Sequence, residues 1–197
     1  GEKMKRFFIL MSILFLIFPI GVFGKSVVVM DMDSGRVLYE SKSDKKSLIA
    51  SITKVMTCII VLEKGNLDDI VTVGDEVLSM YGTNIYLEVG ESISIRDLLY
   101  GLMLRSGNDS AVVLAKYISG SEEEFVKLMN NYATKLGMVN TTFSNAHGLD
   151  DDTKNYSTAY DMSLLMRYAF LNEEFMKIIG ESKYKCKSSV KSYLWYN

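Results

Sequence analysis

The chain has 197 residues, with 22 Lys and Arg against 24 Asp and Glu and a net charge of −2. That length buries a real core in one domain, or in one domain with two lobes. The basic residues are scattered apart from Lys183, Lys185, Lys187 and Lys191, so nucleic-acid binding has no electrostatic support; that one cluster reads as a solvated strand edge or linker.

Lys3, Lys5 and Arg6 precede twelve uncharged, mostly apolar residues, Phe7 to Phe18, which Pro19 ends; Val22-Phe23-Gly24 follows. A basic start, a short apolar core and a small-residue end are the marks of a secretory signal over 1–24. Its apolar stretch falls short of the roughly 20 residues of a membrane span. An uncleaved N-terminal anchor is the second reading, and both place residues 25–197 outside the cytoplasm.

Ser26 to Met32 and Arg36 to Glu40 flank Asp33-Ser34-Gly35, a hairpin pattern. Ser47 to Glu63 is predicted as a helix closed by Gly65, and its run Val55 to Leu62 is apolar on all sides, as a buried helix requires. Residues 66–93 hold strand-like pieces (Ile70 to Val73, Ile85 to Leu87) between glycine turns. Ser94 with Asp97 caps a helix Leu98 to Leu104, and Ser106-Gly107-Asn108-Asp109 breaks it before a second run, Ala111 to Ile118. Ser121 with Glu124 caps an amphipathic helix carrying Phe125, Leu128, Met129, Tyr132 and Leu136 on one face, ended by Gly137. A polar loop, 140–157, leads to a helix capped by Thr158 and Asp161 that runs to Phe170. A short helix, Glu173 to Ile179, and a strand-like tail complete an α+β pattern whose sheet is unfinished.

Cys58 lies in the buried run and Cys186 is far from it in sequence, so Cys58 reads as a small core residue. One histidine, His147, and no Cys/His cluster give no metal site, and no organic cofactor is suggested. A Ser-His-Asp triad would need His147 as its base, but Asn145 to Asp150 reads as a polar turn.

Ser51-Ile52-Thr53-Lys54 carries the chemistry. At helical spacing Ser51 and Lys54 share a face, and a desolvated lysine can take the proton of a hydroxyl nucleophile. Ser43/Lys46, Ser182/Lys185 and Ser188/Lys191 match the same letters in polar, Lys-rich stretches; the apolar context singles out Ser51. Ser106-Gly107-Asn108 is the only Ser-x-Asn in the chain and sits on a break between two apolar helices. By itself it is a helix–helix turn with Asn108 as N-cap. Beside Ser51 and Lys54 it becomes a hydroxyl and an amide held at a cleft edge.

These blocks resemble the penicillin-recognising serine enzymes, and among them the low-molecular-weight D-alanyl-D-alanine carboxypeptidases. The resemblance covers about residues 26–197 and rests on Asp33 to Leu38, Ala50 to Thr57, Leu104 to Ala111, Asn145 to Asp150 and Tyr156 to Met162. It implies a β-lactamase/transpeptidase-like fold, an antiparallel sheet with an all-helical lobe, in a bacterial cell-envelope enzyme. Ser51 would attack the carbonyl between two D-alanines of a peptidoglycan pentapeptide and β-lactams would acylate it. Lys54 would be the base, Ser106 would carry protons to the leaving amine, and Asn108 would contact the substrate backbone. For Lys54 to be half neutral near pH 7 its pKa must fall from about 10.4, equivalent to roughly 4 kcal/mol.

The family's third motif, Lys-Thr-Gly on a strand, does not occur; Lys135-Leu136-Gly137 matches only in letters, at a helix end. The chain is therefore expected to stop before the inner strands are complete. It would lack the substrate-carboxylate site and a second oxyanion donor, and be weakly active alone. Membrane attachment would come only from the signal segment or a C-terminal anchor not in this sequence. Two other readings compete. A serine β-lactamase of the same fold needs a deacylating Glu, where this chain has Ala146-His147-Gly148. A non-catalytic peptidoglycan-binding envelope protein would not need Ser51, Lys54, Ser106 and Asn108 together.

Overall fold

The computed structural model describes residues 26–197, and the signal segment predicted over 1–24 lies outside them. The predicted hairpin forms: β1 (Val27–Met30) pairs antiparallel with β2 (Val37–Ser41), with an irregularity between Val29 and Met30. Asp31 accepts from the N–H groups of Ser34 and Gly35, which turns the chain at Gly35 (φ +72°). Arg167 secures this turn by donating to the carbonyls of Met32 and Asp33, both at 2.7 Å.

The predicted helix from Ser47 begins later. Ser47–Leu48 is a short strand, β3, paired with β6 (Tyr156–Ser157) inside what the sequence suggests is a polar loop. Ala50 has φ +44°, which the interior of a right-handed helix cannot contain, so no helix runs through it from Ser47 and the helical chain opens only there. A 3-10 turn, Ala50–Thr53, feeds α1 (Lys54–Lys64), capped by Gly65. Met56 and Cys58 through Val61 are fully buried, as the all-round apolar pattern requires.

β4 (Ile70–Thr72) pairs with β5 (Ser92–Ser94). Ile85 to Leu87, predicted as strand-like, is not a strand. Tyr86 is left-handed (φ +63°), and the N–H groups of Ile85 and Leu87 go to the Asp109 carboxylate, each at 3.0 Å. Three predicted caps form at helix N-termini: Ser94 accepts from Asp97 N on α2 (Ile95–Arg105), Ser121 from Glu124 N on α4 (Glu122–Lys135), and Thr158 from Asp161 N on α5 (Ala159–Ala169). Between them α3 (Asn108–Ser119) is capped by Gly107, so Asn108 is its first residue and not the N-cap.

α6 (Glu173–Gly180) leads into the β7 (Lys183–Lys187) and β8 (Ser192–Tyr196) hairpin. Lys183, Lys185 and Lys187 take the solvent side of β7, the solvated edge expected of them. Tyr193 and Trp195 turn inward, and Tyr184 stacks on Tyr100 of α2 with ring centroids 3.6 Å apart. All strand pairs are antiparallel, in four two-stranded ladders among the described residues. α1 is the hub, touching α2 through α6. Cys58 is a buried free thiol of this core, and Cys186 is also free. Among the described residues no helix is long and apolar enough to cross a membrane.

Candidate active site

The site is built on the start of the hub helix. The 3-10 turn leaves Ser51 at the surface, while Lys54, in the first turn of α1, points inward and is only 2% exposed. Three groups meet its ammonium. Lys54 Nζ donates to Asn108 Oδ1 at 2.7 Å and to the His147 carbonyl at 2.6 Å, and it lies 3.5 Å from Ser51 Oγ. The last distance is the long limit of a hydrogen bond; catalytic pairs commonly tighten when substrate binds.

Burial pulls the Lys54 pKa down to about 8, against the opposing pull of the Asp109 carboxylate. About a tenth of the lysine is then the free base at pH 7. Both strong acceptors are neutral, which is why desolvation prevails: a carboxylate at hydrogen-bond distance would hold the ammonium charged.

The α2–α3 break supplies the second wall. Ser106 is left-handed (φ +55°) and caps α2 by donating its N–H to the Gly101 carbonyl. Its Oγ is buried and has no hydrogen-bond partner among the described residues. Asn108 uses both ends of its amide: Oδ1 takes Lys54, and Nδ2 donates to the Tyr81 carbonyl at 2.7 Å. The structure thus brings Ser51, Lys54 and Asn108 into one cluster, with Ser106 two residues before Asn108. Asp109 then ties residues 84–87 to the same helix start, accepting from Ile85 and Leu87, while its own N–H donates to Asn84.

The third wall is the turn Asn145 to Leu149, and sequence reasoning missed its part in the site. His147 contributes its carbonyl to Lys54, and its ring is not a base for Ser51. Nδ1 accepts from Leu149 N at 3.0 Å, which leaves the proton on Nε2, 3.5 Å from Glu122. Burial, reinforced by the Lys54 charge, lowers the imidazole pKa to about 4, so the ring is neutral at pH 7. Thr57 Oγ1 donates to the Ala146 carbonyl at 2.7 Å, and Asn155 Nδ2 donates to Thr53 Oγ1 at 2.8 Å and to the Asn145 carbonyl at 3.0 Å. Thr53 and Thr57 were detectable: they are polar positions at the start of a helix that is otherwise buried and apolar, and such groups need partners.

The other Ser-x-x-Lys matches form no such pair. Ser188 Oγ accepts from the N–H groups of Val190 and Lys191, while Lys191 Nζ goes to Glu88 and the Tyr86 carbonyl. Lys135-Leu136-Gly137 ends α4, with Gly137 at φ +76°. A cavity of ≈ 260 Å³ adjoins the cluster between Tyr81 and the His147 turn, lined also by Ser79, Leu149 and Asp152. An exposed hydroxyl beside a buried, partly neutral lysine is the equipment of nucleophilic acyl transfer.

Known proteins share this arrangement of sequence and fold. The family model for D-alanyl-D-alanine carboxypeptidase matches residues 19–197. The carboxypeptidase DacF of Bacillus subtilis is 37% identical over 177 residues, covering 87% of this chain and 45% of the relative. DacC of Escherichia coli is 42% identical over 153 residues, covering 72% of this chain and 38% of the relative. Among solved structures, a Mycobacterium tuberculosis D-alanyl-D-alanine carboxypeptidase superposes with TM-score 0.83 at 30% identity, covering 87% of this chain and 65% of that one. Penicillin binding protein 6B of Escherichia coli gives 0.79 at 33%, covering 91% and 60%. The chain spans less than half the length of these curated relatives. With the family model covering nearly its whole length, the chain belongs to the D-alanyl-D-alanine carboxypeptidase family, peptidase family S11.

Proposed function

We propose that this chain carries the acylating part of a serine-type D-Ala-D-Ala carboxypeptidase acting on peptidoglycan stem peptides. The observation that carries the reading is Lys54 Nζ held by Asn108 Oδ1 and the His147 carbonyl within reach of Ser51 Oγ. Neutral Lys54 takes the Ser51 proton as Oγ attacks the carbonyl of the penultimate D-alanine. The Ser51 N–H donates to the developing oxyanion. The C–N bond then breaks, terminal D-alanine leaves with a proton relayed from Lys54 through the unpartnered Ser106 hydroxyl, and water hydrolyses the ester on Ser51. Asn108 holds the lysine, and contact of its Nδ2 with the substrate backbone would replace the Tyr81 carbonyl.

β-Lactams present a strained amide to the same hydroxyl and become covalent inhibitors. The basic, apolar leader supports an extracytoplasmic site of action in the bacterial envelope, with the leader as signal or anchor. A fluorescent penicillin tests the reading: a stable adduct mapped to Ser51 and lost in Ser51→Ala is expected. No adduct on the protein, or an adduct that survives Ser51→Ala, would contradict it, and rapid clearance of the adduct would favour a β-lactamase.

A further inference from the structure

The Asn145–Leu149 turn does more than offer a carbonyl to Lys54. Gly148 has φ +91°, and a Cβ placed on it would lie 2.0 Å from the Ala50 oxygen, 2.4 Å from the Ala50 carbonyl carbon and 3.0 Å from Ser51 N. The glycine backbone thus rests directly on the peptide that joins Ala50 to Ser51. In a trans peptide the C=O and N–H point to opposite sides. Gly148 presses on the oxygen side, and the Ser51 N–H leaves from the other.

That peptide follows a strained residue. Ala50 is left-handed at φ +44°, a conformation that a non-glycine residue keeps only when its surroundings impose it. The surroundings here are rigid. Gly148 N donates to Asn145 Oδ1 at 2.6 Å, and Asn155 links that same oxygen (3.0 Å) to Thr53 Oγ1 (2.8 Å), in the 3-10 turn that carries Ser51. The turn and the Ser51 segment are locked together from two directions.

We propose that Gly148 is a positioning residue: its bare backbone props the Ala50–Ser51 peptide and thereby aims the Ser51 N–H, the oxyanion donor. This inference rests on the reading of Ser51 as the nucleophile. A side chain at 148 has to displace the peptide by about 1 Å, and a misplacement of that size at a reacting centre costs on the order of 10²-fold. The loss belongs in the acylation step, because an oxyanion donor acts on the transition state and not on initial binding.

Stopped-flow acylation by a chromogenic penicillin separates the two, giving the non-covalent constant and the acylation rate. Gly148→Ala is expected to slow acylation about 100-fold with non-covalent binding unchanged. Gly137→Ala is the control for backbone strain, since Gly137 is also left-handed (φ +76°) but has nothing within 4 Å of its Cβ position; its acylation rate should stay at the wild-type value. Ala50→Gly/Gly148→Ala lets the peptide rotate away from the new methyl, so it should fold and still acylate slowly. The Ser51 amide resonance should move in Gly148→Ala and in the double variant, and stay in Gly137→Ala.

Wild-type acylation in Gly148→Ala, or in the folded double variant, would overturn the inference. So would an equal loss in Gly137→Ala, or an unmoved Ser51 amide in the folded double variant. If the unsubstituted protein forms no adduct, the proposed function falls, while the Ser51 amide still decides whether Gly148 sets that peptide.

Discussion

At the first pair Ser51 is exposed and Lys54 buried; at the second Ser188 is 6% exposed and the Lys191 side chain 32%. Lys54 is met by an amide oxygen and a backbone carbonyl, whereas Lys191 is met by the Glu88 carboxylate at 2.8 Å as well as a carbonyl. Ser188 spends its oxygen on backbone N–H groups of its own turn, and among the described residues Ser51 Oγ has only Lys54. The same four-residue pattern therefore sets an exposed serine beside a buried lysine at a helix start, the pair proposed as nucleophile and base, and elsewhere a turn serine and an ion-paired lysine on a hairpin. What separates them is the charge of the lysine's acceptors and the depth at which it is held.

Giving Lys54 the environment of Lys191 should break the site. Asn108→Asp puts a carboxylate 2.7 Å from Lys54 Nζ in nearly the same shape. An opposite charge at that distance favours the ammonium and raises its pKa, so penicillin acylation at pH 7 should fall by about 10- to 100-fold. Its alkaline limb should move up by about one pH unit or more, read from rates between pH 6 and 10. By contrast the penicillin adduct should survive Ser188→Ala unchanged.

A smaller effect is expected from pH alone. The free base of Lys54 accumulates as pH rises through about 8, so acylation by the unsubstituted protein should increase roughly tenfold between pH 7 and pH 9 and then level off. A flat profile over that range would sever the lysine from the proton transfer. Smaller again is Thr57→Val, which leaves the Ala146 carbonyl without its 2.7 Å donor. We expect a loss of about 1 kcal/mol in urea unfolding, with the adduct still forming.

Much of this was legible in the sequence because it is local. The apolar run after Ser51 foretold a buried helix, and the caps at Ser94, Ser121 and Thr158 are short-range bonds between a side chain and an N–H three residues on. The Ser106-Gly107-Asn108 break was visible because polar letters interrupt two apolar helices. The missed features are non-local. Ser47–Leu48 is a strand only because Tyr156–Ser157 lies beside it, and Ile85 to Leu87 loses its strand to a carboxylate more than twenty residues away. The His147 carbonyl has no letter of its own, so a search for a side-chain base passed over the residue's actual contribution. Asn108 shows the same limit: the sequence indicates an amide at the cleft, and only the fold reveals that both its ends are taken by protein.

If burial among neutral acceptors makes Lys54 a base at physiological pH, its ammonium titrates well below the ordinary lysine value. Titrating its side chain by NMR, with Lys54→Arg to assign the signal, tests this without any substrate. A midpoint near pH 8 is predicted. A midpoint at the ordinary lysine value of about 10.4 or above would contradict the account.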